Sequence, residues 1–279
     1  MYVTDNPSGA YKSYDAGNTW LAKNEGMTQK GKGARDSQPI FCCTVDPNNP
    51  NIIWTGTLNI RGIFKSIDGG ETWTRKDNGI EEIDTITFRG FGVRPGNSDI
   101  VFAGTEIFTG VQTEFGGEAK GKIYKTEDGG ENWKCVWEGD NLVRFVLFDY
   151  VNPDVIYAST GIHDRVAYNG IGVGVLKSND GGKSWRQTNH GIENLFIGFL
   201  EMHPQNPQIL FAAAGSWKLA FTEDRLGSIY RTDNGGESWK KVLGCSVRRQ
   251  EFFGAVTISA SDPNVVYAAS NRCFYISED

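Results

Sequence analysis

Five short segments of the sequence combine an acidic residue or asparagine with glycine and tryptophan, residues that could bind a metal ion, transfer protons or form a turn. They read SYDAGNTW (13–20), SIDGGETW (66–73), TEDGGENW (126–133), SNDGGKSW (178–185) and TDNGGESW (232–239), and the last residues, SED, resemble the start of a sixth. A calcium site needs several converging oxygens, and one acid per segment supplies too few. Asn234 replaces the acid once, and an amide can accept a hydrogen bond in a turn but cannot transfer a proton. The pattern therefore predicts a structural turn.

The spacing of these segments predicts the fold class. Their third residues recur at intervals of 45 to 60 residues, a period typical of propellers and solenoids. Each interval holds an apolar segment ending in a Pro or Asn turn, a β-branched and aromatic run, a shorter run, the repeated segment and a strand that opens with tryptophan. Four strands per repeat without helical periodicity indicate an all-β protein, a β-propeller with four-stranded blades.

The repeats also predict the domain organisation. We expect one β-propeller domain over residues 1–279, with four complete and two partial blades. The predicted bounds are 1–26 (partial), about 38–80, 86–140, 143–191 and 196–245 (complete), and 252–279 (partial). A propeller with an unpaired edge strand is prone to associate. The chain is therefore expected to be part of a longer propeller protein.

The repeated segments, with preceding strands such as DPNNPNIIWTGT (46–57), resemble the Asp-box, or bacterial neuraminidase repeat, propellers. That superfamily includes sialidases, xyloglucanase-type glycoside hydrolases, sortilin-type receptors and a photosystem II assembly factor, and the fold does not choose among them. The Arg-Ile-Pro sequence that the sialidase resemblance requires does not occur. A carbohydrate-active propeller and, as the alternative, a non-catalytic propeller that binds proteins are therefore favoured over a sialidase.

The segment TDNPSGAYKS (4–13) is similar to the opening blade of the xyloglucanase-type hydrolases, T-D-x-G-G-A-Y-R. It departs from that pattern at residues 6–8 and keeps Thr4, Asp5, Gly9, Ala10, Tyr11 and a basic Lys12. The resemblance implies that Asp5 is a catalytic carboxylate of an inverting endo-glycosidase, whose second carboxylate should lie roughly 6.5–9.5 Å away. In that family the second carboxylate lies in another propeller, so this chain alone is expected to bind glycan without efficient hydrolysis. The alternative is that Asp5 caps a strand end.

Three long connections predicted between second and third strands, at 106–121, 161–172 and 214–227, are the expected ligand-binding loops. Their aromatic and charged side chains suit sugar rings and protein interfaces equally well. The candidates there are Glu114, Phe115, His163, Asp164, Tyr168, Trp217 and Arg225. Segments entering first strands add Arg89, Arg144 and Arg248. Arg89 and Arg144 align with each other, and structural ion pairs that bridge blades are their alternative role.

The composition of the chain limits the classes of partner that it is expected to bind. The net charge is −6 and the basic residues are dispersed, which does not favour nucleic acid. No apolar run approaches the roughly 18–20 residues that span a bilayer. The five cysteines lack zinc-site spacing, so no metal or cofactor is expected. We predict a polysaccharide, an oligosaccharide or a protein as partner. The start, MYVTDNPSGAYKS, is not a signal peptide, and a secreted or extracytoplasmic location is expected for the full-length parent.

Overall fold

The computed structural model describes residues 1–5, 8–27, 39–113, 116–161, 172–215, 226–245 and 251–278, and within them the chain forms strands and no helix. Consequently, no helix of this part of the chain is long and apolar enough to cross a lipid bilayer. The strands are β1 (Tyr2–Asp5), β2 (Gly9–Lys12), β3 (Leu21–Ala22), β4 (Ile40–Val45), β5 (Ile53–Thr57), β6 (Ile63–Ser66), β7 (Thr74–Arg75), β8 (Ile86–Val93), β9 (Val101–Thr113), β10 (Gly116–Thr126), β11 (Lys134–Gly139), β12 (Val143–Phe148), β13 (Ile156–Thr160), β14 (Gly174–Ser178), β15 (Arg186–Gln187), β16 (Ile197–Met202), β17 (Leu210–Ala214), β18 (Ser228–Thr232), β19 (Lys240–Gly244), β20 (Phe253–Ile258), β21 (Val266–Ser270) and β22 (Phe274–Ser277).

These strands form six antiparallel sheets in simple sequential order. Four sheets have four strands, β4–β7, β8–β11, β12–β15 and β16–β19, and the sheets β1–β3 and β20–β22 have three each. The second strands β5, β13 and β17 are buried at every position, as expected of continuous β-branched, aromatic and alanine runs covered on both faces. The predicted four complete and two partial repeats are confirmed.

The predicted loop at 106–121 is wrong. Apart from residues 114 and 115, which lie outside the described part, this stretch continues β9 and β10 as a hairpin. The sequence carries the reason, because Ile107, Thr109, Val111 and Thr113 place a β-branched residue at every second position. That is the period of a strand, and branched side chains favour it.

The chain divides into two compact units. The first comprises residues 1–107 and 123–136, and the second comprises residues 108–122 and 137–279. The first unit contains an aromatic core in which Trp54 meets the Trp133 ring edge-on at 5.8 Å and packs against Phe91 at 6.1 Å. In the second unit, a core cluster of fully buried aliphatic residues around Ile197 and Leu200 also includes Tyr230 and Trp239.

The acid of each repeated segment closes the turn between the third and fourth strands. Asp68 Oδ1 accepts the backbone N–H groups of Glu71 and Thr72, each at 3.0 Å, and Oδ2 accepts the Thr72 hydroxyl at 2.6 Å. Asn234 reproduces this arrangement, because its Oδ1 accepts the Ser238 N–H at 3.0 Å and its Nδ2 donates to the Ser238 hydroxyl at 2.9 Å. These bonds confirm the predicted structural turn.

Two glycine positions within the segment differ in how strictly they need glycine. The second has φ of 94°, 82°, 97°, 81° and 85° in the five segments, whereas the first has φ of 57°, 72°, 70°, 70° and 65°. The lower values lie in or near the left-handed helical region, which other residues enter at a cost of roughly 1–2 kcal/mol. Ala16 occupies the first position in one segment for this reason.

In three of the five segments the tryptophan packs against the preceding sheet and not against its own hairpin. In these three segments the indole N–H donates at 2.8 Å to a carbonyl three residues beyond the preceding segment's tryptophan, and the backbone N–H donates at 2.8–2.9 Å to a carbonyl five residues beyond it. The pairs are Trp73 with Lys23 and Glu25, Trp133 with Lys76 and Asn78, and Trp239 with Thr188 and His190. A two-stranded hairpin offers too little apolar surface to bury an indole, whereas the groove between two sheets buries it almost completely.

A glycine follows each residue whose carbonyl accepts the tryptophan backbone N–H, and it lets the two sheets approach. Gly26, Gly79 and Gly191 have φ of 92°, 89° and 90°. A Cβ atom at these positions would lie 1.9, 2.2 and 2.0 Å from the carbonyl oxygens of Trp73, Trp133 and Trp239. Any side chain there would push the two sheets apart.

Comparing Gly79→Ala with Gly96→Ala tests this contact. Both glycines have positive φ, but a Cβ at Gly96 would meet nothing within 4 Å. Gly96→Ala should therefore cost only backbone strain, about 1–2 kcal/mol, whereas Gly79→Ala should cost roughly a further 1–3 kcal/mol because the Trp133 backbone must move. Urea denaturation followed by far-UV circular dichroism measures both. Equal losses would show that the sheets are not in close contact at Gly79.

The carboxylates in the turns should make the free energy of unfolding depend on pH. Partial burial acts to raise the pKa of Asp68, but hydrogen bonds from the Thr72 hydroxyl and N–H and from Ser66 outweigh it and lower the pKa to about 2. A carboxylate with a lowered pKa contributes fully above its unfolded pKa of about 4 and loses that contribution as pH falls through the folded value. The difference in unfolding free energy between the unmodified chain and Asp68→Asn should therefore narrow between about pH 4 and pH 2. Parallel loss of stability in both proteins would contradict this assignment.

Candidate functional site

The first strand of every described complete repeat, and of the last partial one, carries a bulge at one fixed position. In the first complete sheet Ile40 pairs with Thr57 and Cys42 pairs with Gly56, which leaves the residue between them unpaired. The residues at this position are Phe41, Arg89, Arg144, Gly198 and Gly254. Bulges re-aim a side chain and are frequent beside functional sites. The structure thus places Arg89 and Arg144 at equivalent positions, as their alignment in the sequence indicates.

Arg89 belongs to a buried charged pair at the bulge. Its guanidinium binds the carboxylate of Glu106 on the neighbouring strand β9, and the two side chains are 3% and 5% exposed. The same guanidinium lies 4.5 Å from the centroid of the Phe41 ring, on β4 of the preceding sheet. The ion pair is therefore contained in one sheet, and the expected bridging of blades by Arg89 occurs through an aromatic ring.

Phe41 and Glu106 are candidate residues that the sequence interpretation missed. Phe41 remains 38% exposed, so the first unit presents a half-exposed aromatic ring fixed by a buried cation. Rings of this kind stack on apolar faces of ligands and interact favourably with the cation. The signal was available in the repeats, because Phe41 aligns with Arg89 and Arg144 within the first four residues of each first strand.

Asp5 is the last residue of β1 and pairs with Gly9 across the β1–β2 turn. The equivalent positions in complete sheets hold Thr57, Thr160 and Ala214, all buried. Thr160, for example, donates its hydroxyl to the Gly174 carbonyl at 2.7 Å. Asp5 is exposed, and no described residue donates a hydrogen bond to its carboxylate. An acidic side chain thus faces solvent where other repeats have a buried small residue.

The rest of the sequence pattern around Asp5 belongs to the scaffold. Ala10 N–H donates to Asn24 Oδ1 at 2.8 Å, and Asn24 Nδ2 donates to the Ser8 carbonyl at 3.1 Å. Asn189 makes the same two bonds, to Val175 N–H and to the Val173 carbonyl, both at 2.8 Å. The Gly-Ala part of the pattern is therefore a feature of ordinary blades, and the part specific to a site is Asp5.

Asp5, Phe41, Arg89 and Glu106 form what we call the candidate site. Strand register puts Asp5, Phe41, Arg89 and Thr105, which precedes Glu106, at one level of successive sheets of the first unit. The backbone beside it is strained, because Asn59 and the β-branched Thr85 have φ of 58° and 68°. Thr85 N–H donates to the Asn59 carbonyl at 3.2 Å. Such strain is concentrated at functional sites.

In the second unit, Arg144 is half-buried at its bulge. A buried carboxylate, Glu251, precedes the last first strand and accepts the Tyr275 hydroxyl at 2.7 Å and the Cys245 thiol at 2.9 Å. The hydrogen bond to Glu251, together with burial, raises the pKa of Tyr275 to about 12, so the phenol stays a donor. Among the described residues, no group of three or more His, Cys, Asp or Glu is arranged to hold a metal ion.

The other predicted ligand residues lie outside the described residues. They are Glu114, Phe115, His163, Asp164, Tyr168, Trp217, Arg225 and Arg248. Their proposed role in binding stays a prediction.

Comparison with curated proteins finds xyloglucanases. The chain is 25% identical to a probable oligoxyloglucan-reducing end-specific xyloglucanase of Neosartorya fischeri, over 86% of this chain and 31% of that protein. It is 23% identical to a xyloglucanase of Hypocrea jecorina (97% and 27%) and 24% identical to one of Acetivibrio thermocellus (87% and 30%). The chain thus spans less than a third of the length of these relatives. No family model matches the chain.

Comparison with solved structures supports the fold. The GH74 xyloglucanase of Xanthomonas campestris superposes with a TM-score of 0.68 at 15% identity, over 100% of this chain and 42% of that one. The GH74 enzyme of Niastella koreensis gives 0.68 at 19% identity, over 98% and 42%. At these identities the likeness shows the fold alone. The chain is a partial β-propeller of the kind found in xyloglucanases, as the resemblance of its repeats implied.

Removing the carboxylate of Glu106 tests whether Arg89 depends on it. In Glu106→Gln the buried Arg89 charge loses this counter-ion, which should cost about 3–5 kcal/mol of unfolding free energy. Glu193→Gln is the matched control, because its ion pair with Lys241 is largely exposed and should contribute less than about 1 kcal/mol. Chemical denaturation measures both variants. A loss at Glu106 no larger than that at Glu193 would refute the buried pair.

Proposed function

We propose that this chain is the polysaccharide-binding part of a glycoside-hydrolase-like protein, and that it binds a xyloglucan-type β-glucan at the candidate site. The observation that carries the proposal is Asp5, an exposed carboxylate at a strand end where other repeats bury a threonine or alanine. It lies within the Thr-Asp…Gly-Ala-Tyr pattern that is similar to xyloglucanase-type hydrolases. The xyloglucanase relatives align with 86–97% of the chain and support the same substrate class.

Asp5 would serve as one carboxylate of an acid–base pair. Inverting hydrolysis requires a second carboxylate, about 6.5–9.5 Å from the first, so that one protonates the leaving oxygen while the other activates water. Glu106 is engaged by Arg89, which makes it unsuitable as that partner. The second carboxylate would come from another part of a longer protein, since the chain spans less than a third of its relatives. Alone, the chain should bind glycan without hydrolysing it efficiently.

Phe41 would supply the binding surface. The half-exposed ring offers an apolar face to the C–H groups of a sugar, and the Arg89–Glu106 pair keeps the ring in place by contact from the adjacent sheet. Asp5, at the same level, would accept hydrogen bonds from sugar hydroxyls. A polysaccharide is too large to diffuse across a membrane, so we also propose an extracytoplasmic location.

Isothermal titration calorimetry with xyloglucan oligosaccharides tests the proposal. Phe41→Ala should weaken binding about tenfold, corresponding to roughly 1.4 kcal/mol, because the stacking ring is lost. Asp5→Asn should leave binding largely intact because the amide keeps the shape and the acceptor. Tyr14→Ala is the matched control, since Tyr14 is an exposed aromatic residue (60%) in the turn at the other end of the first sheet.

Two outcomes would overturn the proposal. One is the absence of saturable binding to xyloglucan and to unbranched β-glucan oligosaccharides. The other is an equal effect of Tyr14→Ala and Phe41→Ala. Capture of a folded protein partner in the absence of glycan binding would favour the alternative, a non-catalytic protein-binding propeller.

A further inference from the structure

The last two sheets of the second unit enclose a groove, here called the last groove, with a cavity of about 780 Å³. It lies between the strands β17–β19 on one side and β21–β22 on the other. Its apolar walls are Phe211, Ile229, Leu243, Val266, Ala268 and Tyr275. The same walls belong to a packed core cluster that includes Phe253 and Val256, so the groove continues an interface that the two sheets already share.

The walls of the last groove match those that hold a tryptophan one sheet earlier. Trp239 is buried in a cluster with Tyr157, Val175, Leu210, Ala212 and Tyr230. Strand register makes Val266, Ala268 and Tyr275 the counterparts of Leu210, Ala212 and Tyr230, because Ala212 pairs with Tyr230 as Ala268 pairs with Tyr275. Phe211 and Ile229 hold the places of Tyr157 and Val175 in their strands. The last groove therefore has the walls of a tryptophan site.

The hydrogen-bond acceptor of such a site is also in place. Trp73, Trp133 and Trp239 each donate their indole N–H to the carbonyl three residues beyond the preceding tryptophan. Three residues beyond Trp239 is Val242, which lines the last groove.

The charged residues beside the buried tryptophans indicate which residue should precede a tryptophan bound in the last groove. In the groove one sheet earlier, Lys177 (Nζ–Oε1 3.1 Å) and Arg186 both bind Glu237, two residues before Trp239. In the first unit, Lys12 and Lys23 bind Glu71, two residues before Trp73, at 2.7 and 2.5 Å. Arg231 and Lys240 stand at the positions of Lys177 and Arg186 in the last groove and line it together with Glu278, and Arg231 also binds Asp233 at 2.7 Å. The basic rim complements a glutamate two residues before a tryptophan.

The groove is bordered by an edge strand. Within the described residues β22 pairs with β21 alone, and its Phe274 and Ile276 are 66% and 58% exposed. In a complete sheet the third strand pairs with the residues just after the tryptophan, as Phe64 does with Arg75. An edge of this kind can accept a further strand through main-chain hydrogen bonds.

We propose that the last groove binds an extended polypeptide segment of the form Gly-Gly-Glu-x-Trp. Its indole would lie among Phe211, Ile229 and Tyr275 and donate to the Val242 carbonyl. Its glutamate would bind Arg231 and Lys240, and the residues after the tryptophan would add to β22. A second copy of this chain fits poorly as the source, because Trp73, Trp133 and Trp239 are buried in their own interfaces. The more exposed Trp20 and Trp185 have Asn18 and Lys183, and no glutamate, two residues before them.

A labelled peptide copying residues 68–78, DGGETWTRKDN, tests this proposal with the complete chain by fluorescence anisotropy. We expect saturable binding, a loss of about tenfold or more when the peptide tryptophan is replaced by alanine, and weaker, less salt-dependent binding when its glutamate becomes glutamine. Hydrogen exchange followed by mass spectrometry should show protection of residues 274–277 when the peptide is bound.

A charge reversal in the protein provides the matched control. Lys240→Glu should weaken the peptide severalfold, whereas Lys183→Glu, an equal change of net charge at another exposed lysine, should not. Binding that survives loss of the peptide tryptophan would overturn the proposal. So would equal effects of the two lysine variants, protection confined to another strand, no binding at all, or self-association of the chain that excludes the peptide.

Discussion

The structure depends on the way three of the repeats bury the tryptophans Trp73, Trp133 and Trp239. Each of these indoles lies against the preceding sheet, which covers it better than its own hairpin could, and the tryptophan donates to one carbonyl with its ring N–H and to another with its backbone N–H. A buried N–H without an acceptor would be costly, and the two carbonyls at fixed distances beyond the preceding tryptophan remove that cost. The repeated segment therefore joins sheets as well as forming a turn. The aspartate shapes the turn, and the tryptophan makes the contact.

Because the repeated segment forms the turns at one end of each sheet, the opposite end is available for recognition. The turns between third and fourth strands are occupied by internal hydrogen bonds. The opposite end holds the bulges of the first strands, the left-handed residues Asn59 and Thr85 and the exposed Asp5. A bulge changes the direction of one side chain without disturbing the rest of the ladder. The same scaffold position can thus hold phenylalanine, arginine or glycine in successive repeats.

Local chemistry made much of this fold predictable. The 45–60-residue period and the order of short strands predicted the four-stranded sheets, and the replacement of aspartate by Asn234 identified a turn acceptor. The β9–β10 hairpin was missed although its alternating β-branched residues were present. Other features depend on residues distant in sequence. Trp73 finds its acceptors about 50 residues earlier, and Arg89 finds Glu106 and Phe41 in two different strands. Single-sequence patterns do not specify such partners, so only Asp5 and Arg89 of the four candidate-site residues were among those predicted from the sequence.

Exchange of the indole N–H protons in heavy water, followed by ¹H–¹⁵N NMR, tests the central contact most directly. The indole protons of Trp73, Trp133 and Trp239, each bonded to a carbonyl of the preceding sheet, should exchange slowly, at the rate of the core strands. Trp20, which is 38% exposed and donates to the Gly17 carbonyl of its own turn, should exchange much faster. If all four exchanged at similar rates, the tryptophans would not hold the sheets together and the account would be wrong.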